Sequence, residues 1–154
     1  MSWSMPPGVY VEDISSGIRT IPGAETSTPA FIGLTARTSA PKLVHSWDEF
    51  EESFAGPDGE AAALQQAVQG YFANGGATCY VMPLNEAVTP GAPGDIATST
   101  EALKSALSAL EDKPEVTSLV VPDLYDMPGV TDEASAERLV DLLADHCAAK
   151  CEQA

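Results

Sequence analysis

An α/β fold is predicted for these 154 residues: an extended N-terminal arm, then a mixed, partly parallel sheet flanked by helices. Three observations carry that expectation. From residue 28 onward, short apolar runs of strand length alternate with stretches whose apolar residues recur at helical spacing. Gly and Pro punctuate the boundaries between them. Residues 1–27 depart from the pattern, because Pro6, Pro7, Gly8, Gly17, Pro22 and Gly23 leave room only for Val9-Tyr10-Val11-Glu12-Asp13-Ile14, a β-prone piece too short for a helix. Such a strand cannot bury both faces alone, so it must pair with its own sheet or add to an edge on another chain.

Each later element has a local reason. Ala30-Phe31-Ile32-Gly33-Leu34 suits a buried strand, and Leu43-Val44 a second short one. Ser46 and Glu49 have capping-box spacing, which predicts a helix starting at Trp47, with Trp47, Phe50 and Phe54 on one face and Asp48, Glu49, Glu51 and Glu52 on the solvated side. After the turn at Gly56-Pro57-Asp58-Gly59, a second helix carries Ala61, Leu64, Val68, Tyr71 and Phe72 on one stripe and ends at Asn74-Gly75-Gly76. Thr78 to Met82 reads as a strand, and residues 86–98 as a surface loop. Thr98 and Glu101 form another capping box, opening a helix with Leu103, Ala106, Leu107 and Leu110 inward. Thr117 to Val121 is a strand stopped by Pro122, and a last helix from about Thr131 places Ala136, Leu139, Val140, Leu143 and Cys147 along one side.

Composition excludes whole classes of function. Seven Lys and Arg stand against 23 Asp and Glu, a formal charge of -16, and no cation occurs between Leu43 and Glu101. Nucleic acid is held by cations neutralising phosphates, and anionic membranes attract basic segments, so neither is an expected partner. No apolar run reaches membrane-spanning length, and Met1 to Tyr10 lacks the basic start and apolar stretch of a secretory signal, so direct membrane insertion is not expected. Three cysteines without framework spacing point to a reducing compartment at synthesis.

Candidate chemistry is thin. Asp123 and Asp126 directly follow a strand, where a doubly wound fold would place a catalytic or metal-binding carboxylate, but Asp and Pro are also ordinary turn residues. His146, Cys147 and Cys151 invite a zinc reading, since the thiols are one helical turn apart, yet no second ligand pair stands at usable spacing. His45 precedes a helix cap, and Cys79 has no neighbouring base in sequence. Asn74-Gly75-Gly76 lies between a helix and a strand, the reverse of the order that cradles phosphate. No catalytic constellation assembles, so the chain reads as a non-enzyme with no catalytic, cofactor or metal residues.

The N-terminal segment is more informative. Pro7-Gly8-Val9-Tyr10-Val11-Glu12-Asp13-Ile14-Ser15-Ser16-Gly17 resembles the opening of contractile tail sheath proteins. The resemblance continues through Thr26 to Thr35, through Val44-His45-Ser46-Trp47-Asp48-Glu49-Phe50, and through the Ala67 to Val81 block that contains Tyr71-Phe72-Ala73-Asn74-Gly75-Gly76. These ordered blocks fall within about the first 80 residues. The resemblance implies a structural subunit that polymerises helically around an inner tube and contracts to drive that tube through a target envelope, without nucleotide hydrolysis. Implied partners are further copies of the chain in a helical sheath, the inner tube protein, and baseplate and terminator or cap proteins. Synthesis and assembly in a bacterial cytoplasm, as part of a phage-tail-like particle that is released or acts extracellularly, are implied as well.

Two segments are therefore expected: an arm for strand exchange between subunits over residues 1–27, and an α/β sheath domain over residues 28–154. The arm residues singled out are Pro7, Gly8, Val9, Tyr10, Val11 and Glu12, with Val9 and Val11 on one side and Tyr10 and Glu12 on the other by the two-residue period of a strand. Proteins of that family are usually longer, so the domain is expected to be incomplete and the acceptor for the arm to lie in a C-terminal domain outside these residues. Two readings from other classes stand beside it: a small α/β enzyme or metal-binding domain using Asp123 and Asp126, and a monomeric acidic binding module.

Overall fold

The structure is a computed structural model that describes residues 28–37, 40–55, 63–84 and 94–153. The arm, including Pro7 to Glu12, the turn at residues 56–59, Ala61 and residues 86–93 of the expected loop lie outside the described residues. Four strands are present, β1 (Thr28–Gly33), β2 (Lys42–Val44), β3 (Cys79–Pro83) and β4 (Val116–Val120). The helices are α1 (Trp47–Phe54), α2 (Ala63–Ala73), α3 (Ile96–Leu110) and α4 (Glu133–Gln153), with one 3-10 turn at Leu124–Asp126. The strands form one sheet in the order β2-β3-β1-β4. Strand β1 runs parallel to both neighbours, Ala30 facing Tyr80 of β3 and Leu119 of β4, while β2 is antiparallel to β3. The sheet is thus mixed and mostly parallel, as expected.

Alternation along β1 and β3 builds two cores. Ala30, Ile32, Leu34, Met82 and Leu84 face α3 and α4, where Leu103, Leu107, Leu110, Ala136 and Leu139 complete the layer. Phe31, Cys79 and Val81 face the opposite way, onto Phe50 and Phe54 of α1 and Leu64 and Val68 of α2. Helices on both faces make the central strands apolar on both sides, which is why Ala30 to Leu34 reads as a continuous apolar run and not as an alternating one.

Helix ends follow local chemistry with three corrections. Ser46 Oγ accepts from the Glu49 amide at 3.2 Å, while the Glu49 carboxylate accepts from the His45 amide at 3.0 Å, one residue upstream of the expected cap amide. At the end of α2, the Gly76 amide reaches the Tyr71 carbonyl and the Gly75 amide the Phe72 carbonyl, with Gly75 at φ +89°. That pair of bonds is a Schellman closure, and its left-handed residue is cheap only as Gly or Asn. Helix α3 starts earlier than the Thr98-Glu101 spacing predicts: its N-cap is Asp95, whose carboxylate faces the Ala97 amide at 3.5 Å. Thr98 is therefore inside the helix, and Glu101 pairs with Lys104 at 3.0 Å. Helix α4 starts at Glu133, two residues after the expected Thr131, because Asp132 accepts the Ser135 amide at 2.8 Å.

The apolar side of α4 divides in its burial. Ala136 and Leu139 are buried against α3 and the sheet, but Val140 is 49% exposed and Cys147 is exposed. A spacing of four residues advances 40° around a helix, so Val140 and Cys147 form a flank just beyond the covered face. Urea denaturation of the isolated chain should separate the two faces: Leu139→Ala is expected to cost about 2–5 kcal/mol by opening a cavity, and Val140→Ala less than about 0.5 kcal/mol.

Candidate functional site

The two carboxylates nominated by the sequence have separate fates. Asp123 is buried, 2% exposed, and both of its oxygens are engaged by backbone amides. Oδ2 accepts from Leu34 N at 2.9 Å, at the carboxyl end of β1, and Oδ1 from Leu64 N at 3.3 Å, in the first turn of α2. One side chain thus ties the end of the central strand to the start of a helix 59 residues away. Helix α2 has no acidic residue in its own first turn, so Asp123 supplies the negative charge that its dipole favours. Asp126, in contrast, is exposed. With both Asp123 oxygens on backbone amides, the structure gives that residue a structural role in place of the metal or catalytic one expected of Asp123 and Asp126.

Burial raises the Asp123 pKa above the ordinary carboxylate range, overcoming the amide bonds from Leu34, Leu64 and Ala63 that lower it; the nearby Asp126 charge acts in the same direction as burial. The close approach of the carboxylate also requires Gly33, since a Cβ there would overlap Asp123 Oδ2 and come within 2.9 Å of Leu64 Cδ1.

The other candidates resolve as follows. Cys79 is fully buried and its thiol is pushed up to about 12, first by burial and then by the Glu49 charge, which removes the thiolate a nucleophile needs. Among the described residues, no three His, Cys, Asp or Glu side chains come together as a metal site. In the α1 acidic cluster, Glu49 pairs with Lys42 at 2.9 Å, and its pKa is lowered first by that contact and then by the His45 amide. Glu49 is therefore partnered within its own fold.

What the sequence did not single out is the outer edge of β4. Among the described residues β4 has one neighbour, β1, and its Thr117 and Ser118 are exposed. Beside that edge, between β4 and the C-terminal half of α4, runs an open groove of about 560 Å³. Leu110, Val116, Leu119, Cys147, Lys150 and Cys151 are among its lining residues. Lys150 Nζ donates to the Leu110 and Glu111 carbonyls, both at 3.0 Å, and so provides the cation that α3 lacks in its own last turn. The available signal was the apolar flank of α4, which continues past what α3 can cover.

Comparison with known proteins places this architecture. No family model and no curated protein matches the chain. Among solved structures, the fold is similar to that of a chain in the anti-feeding prophage baseplate in its contracted state, with a TM-score of 0.52 and 24% identity over 99% of this chain and 38% of that one. A chain of the anti-feeding prophage helical sheath in its contracted state gives a TM-score of 0.46 and 23% identity, covering 90% of this chain and 35% of that one. This chain thus spans well under half the length of the proteins it matches. The fold is shared with a component of a contractile particle, and it agrees with the resemblance to contractile tail sheath proteins read from the N-terminal blocks.

Replacing Asp123 by Asn should test the structural role of that residue. The amide keeps one acceptor but sets an NH2 against a backbone N–H, so urea denaturation should show a loss of about 1–3 kcal/mol, whereas Asp126→Asn should change stability by less than about 0.5 kcal/mol. Because the folded pKa of Asp123 is raised, the stability linked to its protonation is fully present below the unfolded pKa and is lost as pH rises through the folded one. The stability gap between the wild type and Asp123→Asn should therefore narrow with rising pH across that window.

Proposed function

We propose that the chain is a structural subunit of a contractile injection machine, acting in a sheath that polymerises around an inner tube and contracts to drive it through a target envelope. The observation that carries this reading is the agreement between two independent likenesses. The sequence blocks from Pro7 to Val81 resemble sheath proteins, and the fold is similar over nearly the whole chain to a chain of a contracted baseplate. A buried Asp123 with both oxygens on backbone amides, apart from an exposed Asp126, weakens the enzymatic or metal-binding alternative that named this pair.

In this reading residues 1–27 are the arm, residues 28–154 the folded domain, and Pro7, Gly8, Val9, Tyr10, Val11 and Glu12 the strand that one subunit lends to another. Each backbone hydrogen bond in such an exchange contributes only about 0.5–1.5 kcal/mol net, but a polymer repeats the contact at every subunit. The working partners are copies of the same chain, the inner tube, and baseplate and cap proteins, with assembly in the bacterial cytoplasm before the particle acts outside.

Removing residues 1–20 should abolish long cylinders in electron micrographs while circular dichroism still reports a folded domain; normal cylinders from that variant would overturn the arm assignment. The charge of -16 also opposes the approach of free subunits, so assembly followed by light scattering should become easier as salt screens the repulsion. Assembly that weakens steadily with added salt would contradict a repulsive role for this charge.

A further inference from the structure

We infer that the α1–α2 layer is a cover that opens as a unit while the sheet and the α3–α4 layer stay folded, and that the contact of Asp123 with the Leu64 amide is its latch. This conformational device does not depend on the sheath reading.

Topology permits such an opening. Helices α1 and α2 are consecutive and lie between β2 and β3 in the chain, so both can leave the sheet without breaking a strand pair. They have 8 and 11 residues, below the length of about 12–15 at which an isolated helix becomes even marginally stable in water, whereas α3 and α4 have 15 and 21. The two cores differ in the same direction. Among the described residues, eight buried side chains form the core under α1 and α2, against fourteen on the α3–α4 side. Four of the eight, Phe31, Val44, Cys79 and Val81, belong to strands, so what the two helices themselves bury there is Phe50, Phe54, Leu64 and Val68.

Polar ties sort the same way. The Arg37 amide donates to the Phe54 carbonyl and its guanidinium to the Glu52 carbonyl, Lys42 pairs with Glu49, and the Tyr71 hydroxyl donates to the Thr78 carbonyl. These partners adjoin the two helices in the chain. Asp123 does not: it stands in the turn after β4, held by the Leu34 amide at 2.9 Å, and reaches across to the Leu64 amide at 3.3 Å. Losing that bond frees α2 at the end where its own first turn has no acid. The other layer is braced across its helices, by Lys150 on the Leu110 and Glu111 carbonyls and by Ser99 Oγ on the Pro128 carbonyl at 2.7 Å.

Native-state hydrogen exchange on the full chain before assembly distinguishes two units from one. The α2 amides of Val68 to Phe72 should be about tenfold or more less protected than the α3 amides of Ala106 to Leu110, with a shallower dependence on urea. Asp123→Asn should lower α2 protection about fivefold or more, and Gly33→Ala, whose Cβ would displace Asp123 Oδ2, should act in the same sense. Leu139→Val trims the α3–α4 core, which is intact in both the closed and the opened form. It should lower α3 protection about threefold or more and leave α2 within about twofold. Equal protection of α2 and α3, falling together in Leu139→Val, would overturn the inference by showing one cooperative unit. Early exchange of α2 that neither Asp123→Asn nor Gly33→Ala alters would overturn Asp123 as the latch.

Discussion

A single buried carboxylate holds the middle of this fold. Asp123 accepts from Leu34 at the end of β1 and from Leu64 at the start of α2, and it arrives there from the turn that follows β4. Three elements far apart in sequence thereby share one anchor. Taking a carboxylate out of water is costly, and the raised pKa records that cost, but the oxygens are satisfied by amides that would otherwise be orphaned at a strand end and a helix start. Gly33 is part of the same arrangement, because only a residue without a Cβ lets the carboxylate come this close to the strand. The position is also the one at which an open α/β sheet binds ligands, beyond the carboxyl ends of its parallel strands. Here that end of β1 is capped by the fold's own carboxylate.

Lys150 plays the complementary part at the other pole. Helix α3 ends without a basic residue, and the Lys150 ammonium from α4, about 40 positions later, takes the Leu110 and Glu111 carbonyls. Between them, Asp123 and Lys150 place charge at helix ends whose own sequences lack it. In a chain with 7 cations and 23 acids, one of the few lysines is spent on an internal cap, and the excess of negative charge is left to solvent ions or to a neighbour. The folded unit satisfies its own polar groups at its centre, and among the described residues β4 has β1 as its one neighbour.

Much of this was legible from local patterns. The spacing of Trp47, Phe50 and Phe54, the Ser46 cap, the Asn74-Gly75-Gly76 stop and the apolar run at Ala30 are short-range signals, and the structure realises each of them. Errors occurred where two local signals competed. Asp95 outcompeted Thr98 as the cap of α3 because its carboxylate and backbone carbonyl together satisfy the first amides of the helix. The α4 stripe was correct as a periodicity and divides in its burial, since period tells which residues share a face but not how wide a partner covers it. Val140 and Cys147 share the side of α4 that the spacing predicts and stand exposed on it.

The sequence by itself determined the class of fold, the order of strands and helices after residue 28 and the acidic charge, because the pattern of each element depends on neighbours within a few turns of chain. Only the tertiary structure decided what Asp123 does, where β4 lies and which strands stand at the edges of the sheet among the described residues. Those are long-range properties: a carboxylate reads the same in sequence whether it meets a metal or the amides of Leu34 and Leu64, and an edge strand is an edge only once the order β2-β3-β1-β4 is set.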